Sequence, residues 1–323
     1  MTPSPMLQDR DMLAVRATYS ATLSACTPEL RNLGARLLDT LSDASWTLEW
    51  YLPRWLGEAF GLPRDQIQAL VLANVYGLGY VRLQDDLMDE HMSQDSRRLT
   101  AALADILYRR AIEQYVLLFP DNSPFWRHLD AFMSEWRLAT NANTLQPAID
   151  FDRLASEDLI GFAGRGAPLK ICGAAACLLG QGDNALAPLS VALDHTLLAH
   201  VLLDHFDDWQ DDLANGRFNL FVAYASPLAQ TPDTCTENAG RVILELYGAG
   251  HGSGYFSLIR HEMRVARKLV EVIPCPGLSA YLWSLEALAK NQAQDIAAQA
   301  KTRLQAAVAE ALAPTPALSS PSA

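Results

Sequence analysis

A chain of 323 residues, half of them hydrophobic, can bury a sizeable core as one large helical domain or two small ones. Its 25 lysines and arginines against 37 aspartates and glutamates leave a formal charge of −12, which argues against nucleic acid as a partner, because phosphate backbones are held by basic patches. The five cysteines are scattered, with no CxxC pair and no zinc-type spacing, and read as the reduced thiols of a cytoplasmic protein.

In chain order, the N-terminal segment carries Asp9, Arg10 and Asp11 and no long apolar run, so no signal peptide is expected. Thr27-Pro28-Glu29 reads as a helix start with proline in the first turn. Apolar residues at helical spacing then run over 65–92, 96–119, 124–143, 152–163, 167–181 and 184–213, and strand-type alternation is nearly absent. Breaks are expected at Pro120, Pro147, Pro227 and Pro274. Thr234 with Glu237 forms a capping-box pattern, and the four glycines of 247–255 read as a loop or helix break. A last long helix covers 278–312, and the Pro/Ser/Ala-rich 313–323 is expected to be a disordered tail. The longest apolar stretch, around 171–179, is too short to span a bilayer, so no stable membrane insertion is expected. The periodicity predicts an all-α fold with residues 1–312 in a single domain.

Acidic residues gather in two places. Asp85, Asp86, Asp89 and Glu90 end an apolar helix, where Asp85 and Asp89 share a face with Asp86 to one side. Carboxylates at a helix C-terminus oppose the macrodipole, which is tolerated when a cation neutralises them. Asp204, Asp207, Asp208, Asp211 and Asp212 follow the apolar run 197–203 and, at about 100° per residue, fall within one arc of roughly 140°. Five like charges on one helical face are costly without counter-ions. Hard carboxylate oxygens select magnesium, calcium or manganese, and magnesium shares one or two carboxylates with substrate phosphates. The clusters therefore point to a magnesium-bound diphosphate whose departure is driven electrostatically.

On these residues the chain resembles the class I isoprenoid synthases, and within them the trans-prenyl diphosphate synthases. Asp85-Asp86-Leu87-Met88-Asp89-Glu90 is similar to their first DDxxD motif, and Asp207-Asp208-Trp209-Gln210-Asp211 to the second, with Asp204 where glutamine is usual. Gly216-Arg217-Phe218-Asn219-Leu220 follows at the spacing of the family's GK-x-T-L segment, and Lys170 resembles the lysine of the KT-containing helix. The resemblance implies a single bundle of about ten or more helices around a central active-site cavity, three magnesium ions, and a homodimer. It implies Asp85, Asp86 and Asp89 as magnesium ligands of one wall, and Asp207, Asp208 and Asp211 of the other. It implies Lys170 and Arg217 as diphosphate contacts, with Arg165 as a second contact at a helix break. Tyr80 and, one turn deeper, Tyr76 would floor the cavity for the prenyl tail, favouring C15 or at most C20 chains.

The departures are as informative. Where chain-elongating members carry a basic segment for isopentenyl diphosphate, this chain has Ser45-Trp46-Thr47-Leu48-Glu49-Trp50-Tyr51-Leu52-Pro53-Arg54, and Arg97 and Arg98 follow the first motif several residues late. A second diphosphate needs several cations. The reading is therefore a terpene cyclase that ionises one allylic prenyl diphosphate, farnesyl or geranylgeranyl, with aromatics such as Trp46 and Trp50 available to a carbocation. The alternative is a short-chain trans-prenyl diphosphate synthase.

Overall fold

The helical signals become helices in the computed structural model, which describes residues 9–88, 92–142, 156–180, 182–225 and 251–311. Among the described residues there is no strand. The α-helices are α1 Arg10–Thr22, α2 Pro28–Leu41, α3 Thr47–Ala59, α4 Arg64–Met88, α5 Gln94–Leu118, α6 Phe125–Ala142, α7 Ser156–Ala163, α8 Leu169–Leu179, α9 Asp183–Asp207, α10 Trp209–Ala214, α11 Leu220–Ala225, α12 His251–Val270 and α13 Pro276–Ala311. Thr27 caps α2, its hydroxyl accepting from the Leu30 amide at 3.5 Å with Pro28 opening the helix. The expected breaks at Pro120 and Pro274 fall between helices. Pro147, Pro227, the Thr234–Glu237 pattern, Asp89, Glu90 and 313–323 lie outside the described residues.

The chain divides into two compact units that interleave along the sequence. One comprises Met1–Leu145, Leu159–Leu197 and Val265–Trp283, the other Gln146–Asp158, Leu198–Arg264 and Ser284–Ala323. In the first unit α5 packs along α4 more extensively than any other pair. Tyr19, Leu41, Trp50, Tyr76 and Leu107 are fully buried in its core. The Trp50 indole donates to the Leu41 carbonyl at 2.6 Å, the polar partner a buried tryptophan needs. In the second unit Phe206, Phe221, Tyr255 and Phe256 pack edge to face, with Phe206–Phe256 centroids 4.7 Å apart. The Tyr255 hydroxyl donates to the Leu202 carbonyl at 2.7 Å.

Three elements differ from expectation. Residues 47–59 form a helix despite Pro53 in its interior. A proline there leaves the carbonyl four residues back, that of Glu49, without its helical donor, and the Asn74 amide nitrogen donates to it instead. The glycine-rich 247–255 is not simply a break, because α12 begins at His251 and runs through Gly252 and Gly254. Gly254 lies against Tyr224, whose hydroxyl occupies the space a Cβ would need. Finally, α9 is long and apolar enough to cross a membrane by length and composition, contrary to the reading of 171–179 as the longest apolar stretch. Its apolarity serves packing: half of the apolar window is buried, and Asp194 within the helix pairs with Lys170.

Candidate functional site

The last two turns of α4 carry Asp85 and Asp86 in the first unit. Asp86 pairs with Arg82 one turn back at 3.2 Å. Asp85 lines a cavity of about 190 Å³ whose walls come from α3 and the preceding Trp46, α4, α5, α6, α8, Leu197 of α9 and the 3₁₀ turn Gly164–Gly166. The protein packed around Asp85 raises its carboxyl pKa, Arg165 and then Arg82 pull it back, and Asp86 pushes it up again. Water reaches the exposed side of this residue and screens part of each effect. Arg165, expected as a secondary contact, thus stands with Arg82 as a cation of the cavity beside Asp85, at the predicted helix break.

Below the charged end the wall is apolar and aromatic. Tyr80 lines it, its ring 4.9 Å from Tyr108 and 6.0 Å from Trp136, with Ile112 and Met133 nearby on the same wall. Tyr76 does not line it. It is buried in the core, stacked on Tyr19 at 5.6 Å, with its hydroxyl bonded to that of Thr22 at 2.6 Å. The two tyrosines differ by 40° around α4, enough to turn one to α1 and the other to the cavity.

Lys170 stands in a different place from the diphosphate contact that the resemblance implied. Its side chain is 4% exposed, and its ammonium donates to both Glu135 carboxylate oxygens and to Asp194 Oδ1, each at 2.7 Å. An ammonium has three donors, and all are used. The Phe132 ring lies 5.0 Å away. The flanking Leu169 and Ile171 line the cavity, while Lys170, 100° round the helix, faces α6 and α9. Arg97 donates to the Leu87 carbonyl at 2.8 Å, satisfying a group in the last turn of α4.

The second cluster, in the other unit, is not one continuous helical arc. α9 ends at Asp207, Asp208 sits at a break, and α10 carries Asp211 and Asp212 in its first turn. The Asp208 and Asp212 amides still donate to carbonyls four residues back, so the break is a kink rather than a separation. Asp212 is committed to structure. Its Oδ2 accepts from Asn219 at 2.8 Å, and the Asn219 side chain also reaches the His205 carbonyl and caps α11 through the Phe221 and Val222 amides. Gly216, at φ +64°, reverses the chain between α10 and this clamp, a conformation that favours glycine. Arg217 is 68% exposed and only 3.8 Å from Asp212, which leaves it open to another anion.

Burial and then the charges of Asp208 and Asp207 push Asp204 up to about 6. Asp207 is raised by burial and by Asp208. A group whose folded pKa lies above its ordinary value of 3.8 adds stability below that value and loses it as pH rises through the folded one. In metal-free protein the Asp204 contribution to the melting temperature should fall as pH rises from 3.8 to about 6. The difference in melting temperature between wild type and Asp204→Asn should therefore change across this range, and a constant difference would show that Asp204 does not titrate there.

These carboxylates fit magnesium by their chemistry. Among the described residues no three His, Cys, Asp or Glu side chains converge as a ready-made closed metal site. Magnesium does not need one, since it completes its octahedron with water and substrate phosphate. What the structure provides is open hard-oxygen donors whose mutual repulsion a cation would relieve.

No family model matches the chain, and no curated protein matches it in sequence. Solved structures do. The decaprenyl diphosphate synthase of Rhodobacter capsulatus superposes with a TM-score of 0.70 at 14% identity, over 88% of this chain and 96% of its own. The geranylgeranyl pyrophosphate synthetase of the archaeon Geoglobus acetivorans gives 0.68 at 20%, over 89% and 99%. A polyprenyl synthase of Caulobacter crescentus, complexed with calcium and isoprenyl diphosphate, gives 0.64 at 18%, over 89% and 96%. At these identities the likeness establishes the fold: this chain has the all-α class I isoprenoid synthase fold.

Proposed function

We propose that this chain is a magnesium-dependent enzyme that ionises an allylic prenyl diphosphate. The observation that carries the reading is one cavity with Asp85 and Arg165 at its charged end and aromatic and aliphatic walls beyond. Bound magnesium would supply the positive charge that stabilises departing diphosphate. Asp85, Asp86 and Asp89 would hold it on α4 and just beyond, and Asp207, Asp208 and Asp211 in the second cluster, three ions in all. Arg165 binds and orients diphosphate oxygens, for which a guanidinium fork is suited. Arg217 is a second contact. The walls take the prenyl tail and exclude water. Cytoplasmic location, a homodimer and a single domain over 1–312 belong to the same proposal.

The solved neighbours are prenyl diphosphate synthases, and they favour transfer to isopentenyl diphosphate as the step after ionisation. One observation favours cyclisation without a second substrate. Arg54, the sole cation of 45–54, pairs with Asp9 and Glu58 and lines a different groove, while Glu49 of that stretch lines the cavity. The deciding experiment is incubation with farnesyl or geranylgeranyl diphosphate and magnesium, with and without isopentenyl diphosphate. Hydrocarbon in its absence means cyclase; a longer diphosphate only in its presence means synthase; release of no diphosphate in any mixture rejects both.

Chain length should respond to Tyr80. Tyr80→Ala is expected to raise the kcat/KM ratio of geranylgeranyl over farnesyl diphosphate by about tenfold, the scale of one pocket-filling group. Tyr76→Phe should leave that ratio alone and cost about 1 kcal/mol of stability with the Thr22 bond. A ratio unchanged in Tyr80→Ala places the tail elsewhere.

A further inference from the structure

Glu49 is at the opposite end of the cavity from the charges that would hold diphosphate. Its carbonyl accepts from Asn74, which fixes it level with that residue of α4. Asn74 and Asp85 line the same cavity and stand eleven residues apart on one helix, roughly 16 Å along its axis. The cations that line the cavity, Arg82 and Arg165, act on Asp85 at its end. Glu49 stands in the first turn of α3, where the helix dipole favours negative charge. Its Oε2 is wholly buried, and its charge helps raise the thiol pKa of Cys172, a fully buried residue of α8. The cavity is therefore polarised lengthwise, with cations where an anion would leave and a carboxylate three helical turns deeper.

We propose that Glu49 is the base that ends a carbocation sequence in this cavity, an inference that rests on the ionisation reading and deepens its cyclising form. When C1 of an ionised prenyl chain closes on a distal double bond, the positive charge moves to the tail, away from the diphosphate. There a C–H bond adjacent to the cation breaks, its electron pair becomes the new C=C bond, and its proton passes to the Glu49 carboxylate. The proton then leaves to solvent with product release. Pro53 contributes by denying the Glu49 carbonyl its helical partner, so that Asn74 can lock this turn of α3 to α4. Removing the base should spare ionisation at the other end and change only how the cation is quenched.

The test uses the full chain with magnesium and farnesyl or geranylgeranyl diphosphate, measuring released diphosphate and hydrocarbon products separately. In Glu49→Gln, formation of the wild-type olefin should fall about 100-fold or more, while diphosphate release falls by less than about tenfold and alcohols or isomeric olefins take its place. Glu49→Asp should restore part of the wild-type profile. If Glu49→Gln does not fold, the aspartate variant and the wild-type product itself decide. An uncyclised wild-type olefin, its new double bond in the isoprene unit bearing C1, would place the base beside the diphosphate and overturn the proposal. So would an unchanged product profile in Glu49→Gln. Wild type that only elongates with isopentenyl diphosphate also overturns it, while leaving ionisation intact. Wild type that releases no diphosphate from either substrate removes the ionisation reading and this one together.

Discussion

Asp85→Ala should lower release of diphosphate from a prenyl diphosphate by about 1,000-fold or more, the upper range for removing one group that stabilises transition-state charge. Stability should hardly change, within about 0.5 kcal/mol, because the side chain is exposed and its carboxylate is already disfavoured by its surroundings. The same variant should lose the rise in melting temperature that magnesium with inorganic diphosphate gives the wild type, since only a ligand that binds the folded state stabilises it. The three readouts together separate a metal wall from a solvated helix end. A variant with near-full turnover would remove the first cluster from the chemistry.

Lys170→Met should be damaging in a different way. The ammonium holds Glu135 of α6 and Asp194 of α9 together, and without it two carboxylates face each other with no cation between them. Breaking a buried ion pair from one side costs about 3–5 kcal/mol, and the low end is expected because Glu135 and Asp194 keep 38% and 21% of their side-chain surface in water. Arg165→Ala is the contrasting case. Its melting temperature should stay near wild type because the residue is exposed, while affinity for inorganic diphosphate with magnesium weakens by about 1.5–3 kcal/mol, the range for one hydrogen bond to a charged group. The reverse pattern, a stable Lys170→Met with lost diphosphate protection, would return Lys170 to the site.

The contrast shows where sequence reading reaches and where it stops. Long amphipathic helices were legible, because apolar spacing over α4, α5 and α6 reports which face must leave water. The acidic clusters were legible because so much like charge needs an outside reason. Lys170 was misassigned because motif spacing fixes a position along the chain but not a direction around the helix. One residue of rotation separates the cavity-facing Leu169 and Ile171 from a lysine aimed at α6 and α9. Glu135 and Asp194 were hidden for the same reason: each is one acid in an apolar stretch, and only packing brings them to one ammonium. α3 was obscured by Pro53, whose missing bond is replaced by Asn74, a residue twenty-one positions away. The five-aspartate arc assumed a straight helix, and the kink at Asp208 undid it.

The close approach of Gly254 to Tyr224 constrains how this chain can diverge. Any side chain at position 254 competes with the phenol for the same space, so 254 is not free to vary while the hydroxyl holds its place. A lineage that gains alanine at 254, and with it about 0.5–1 kcal/mol of helix stability, must give up the hydroxyl at 224 or move the phenol aside. The order is asymmetric: removing the hydroxyl opens the space at 254, whereas an alanine that arrives first must displace the phenol. Phenylalanine at 224 beside glycine at 254 should therefore be the more accessible step toward alanine at 254, an order set by a single oxygen atom.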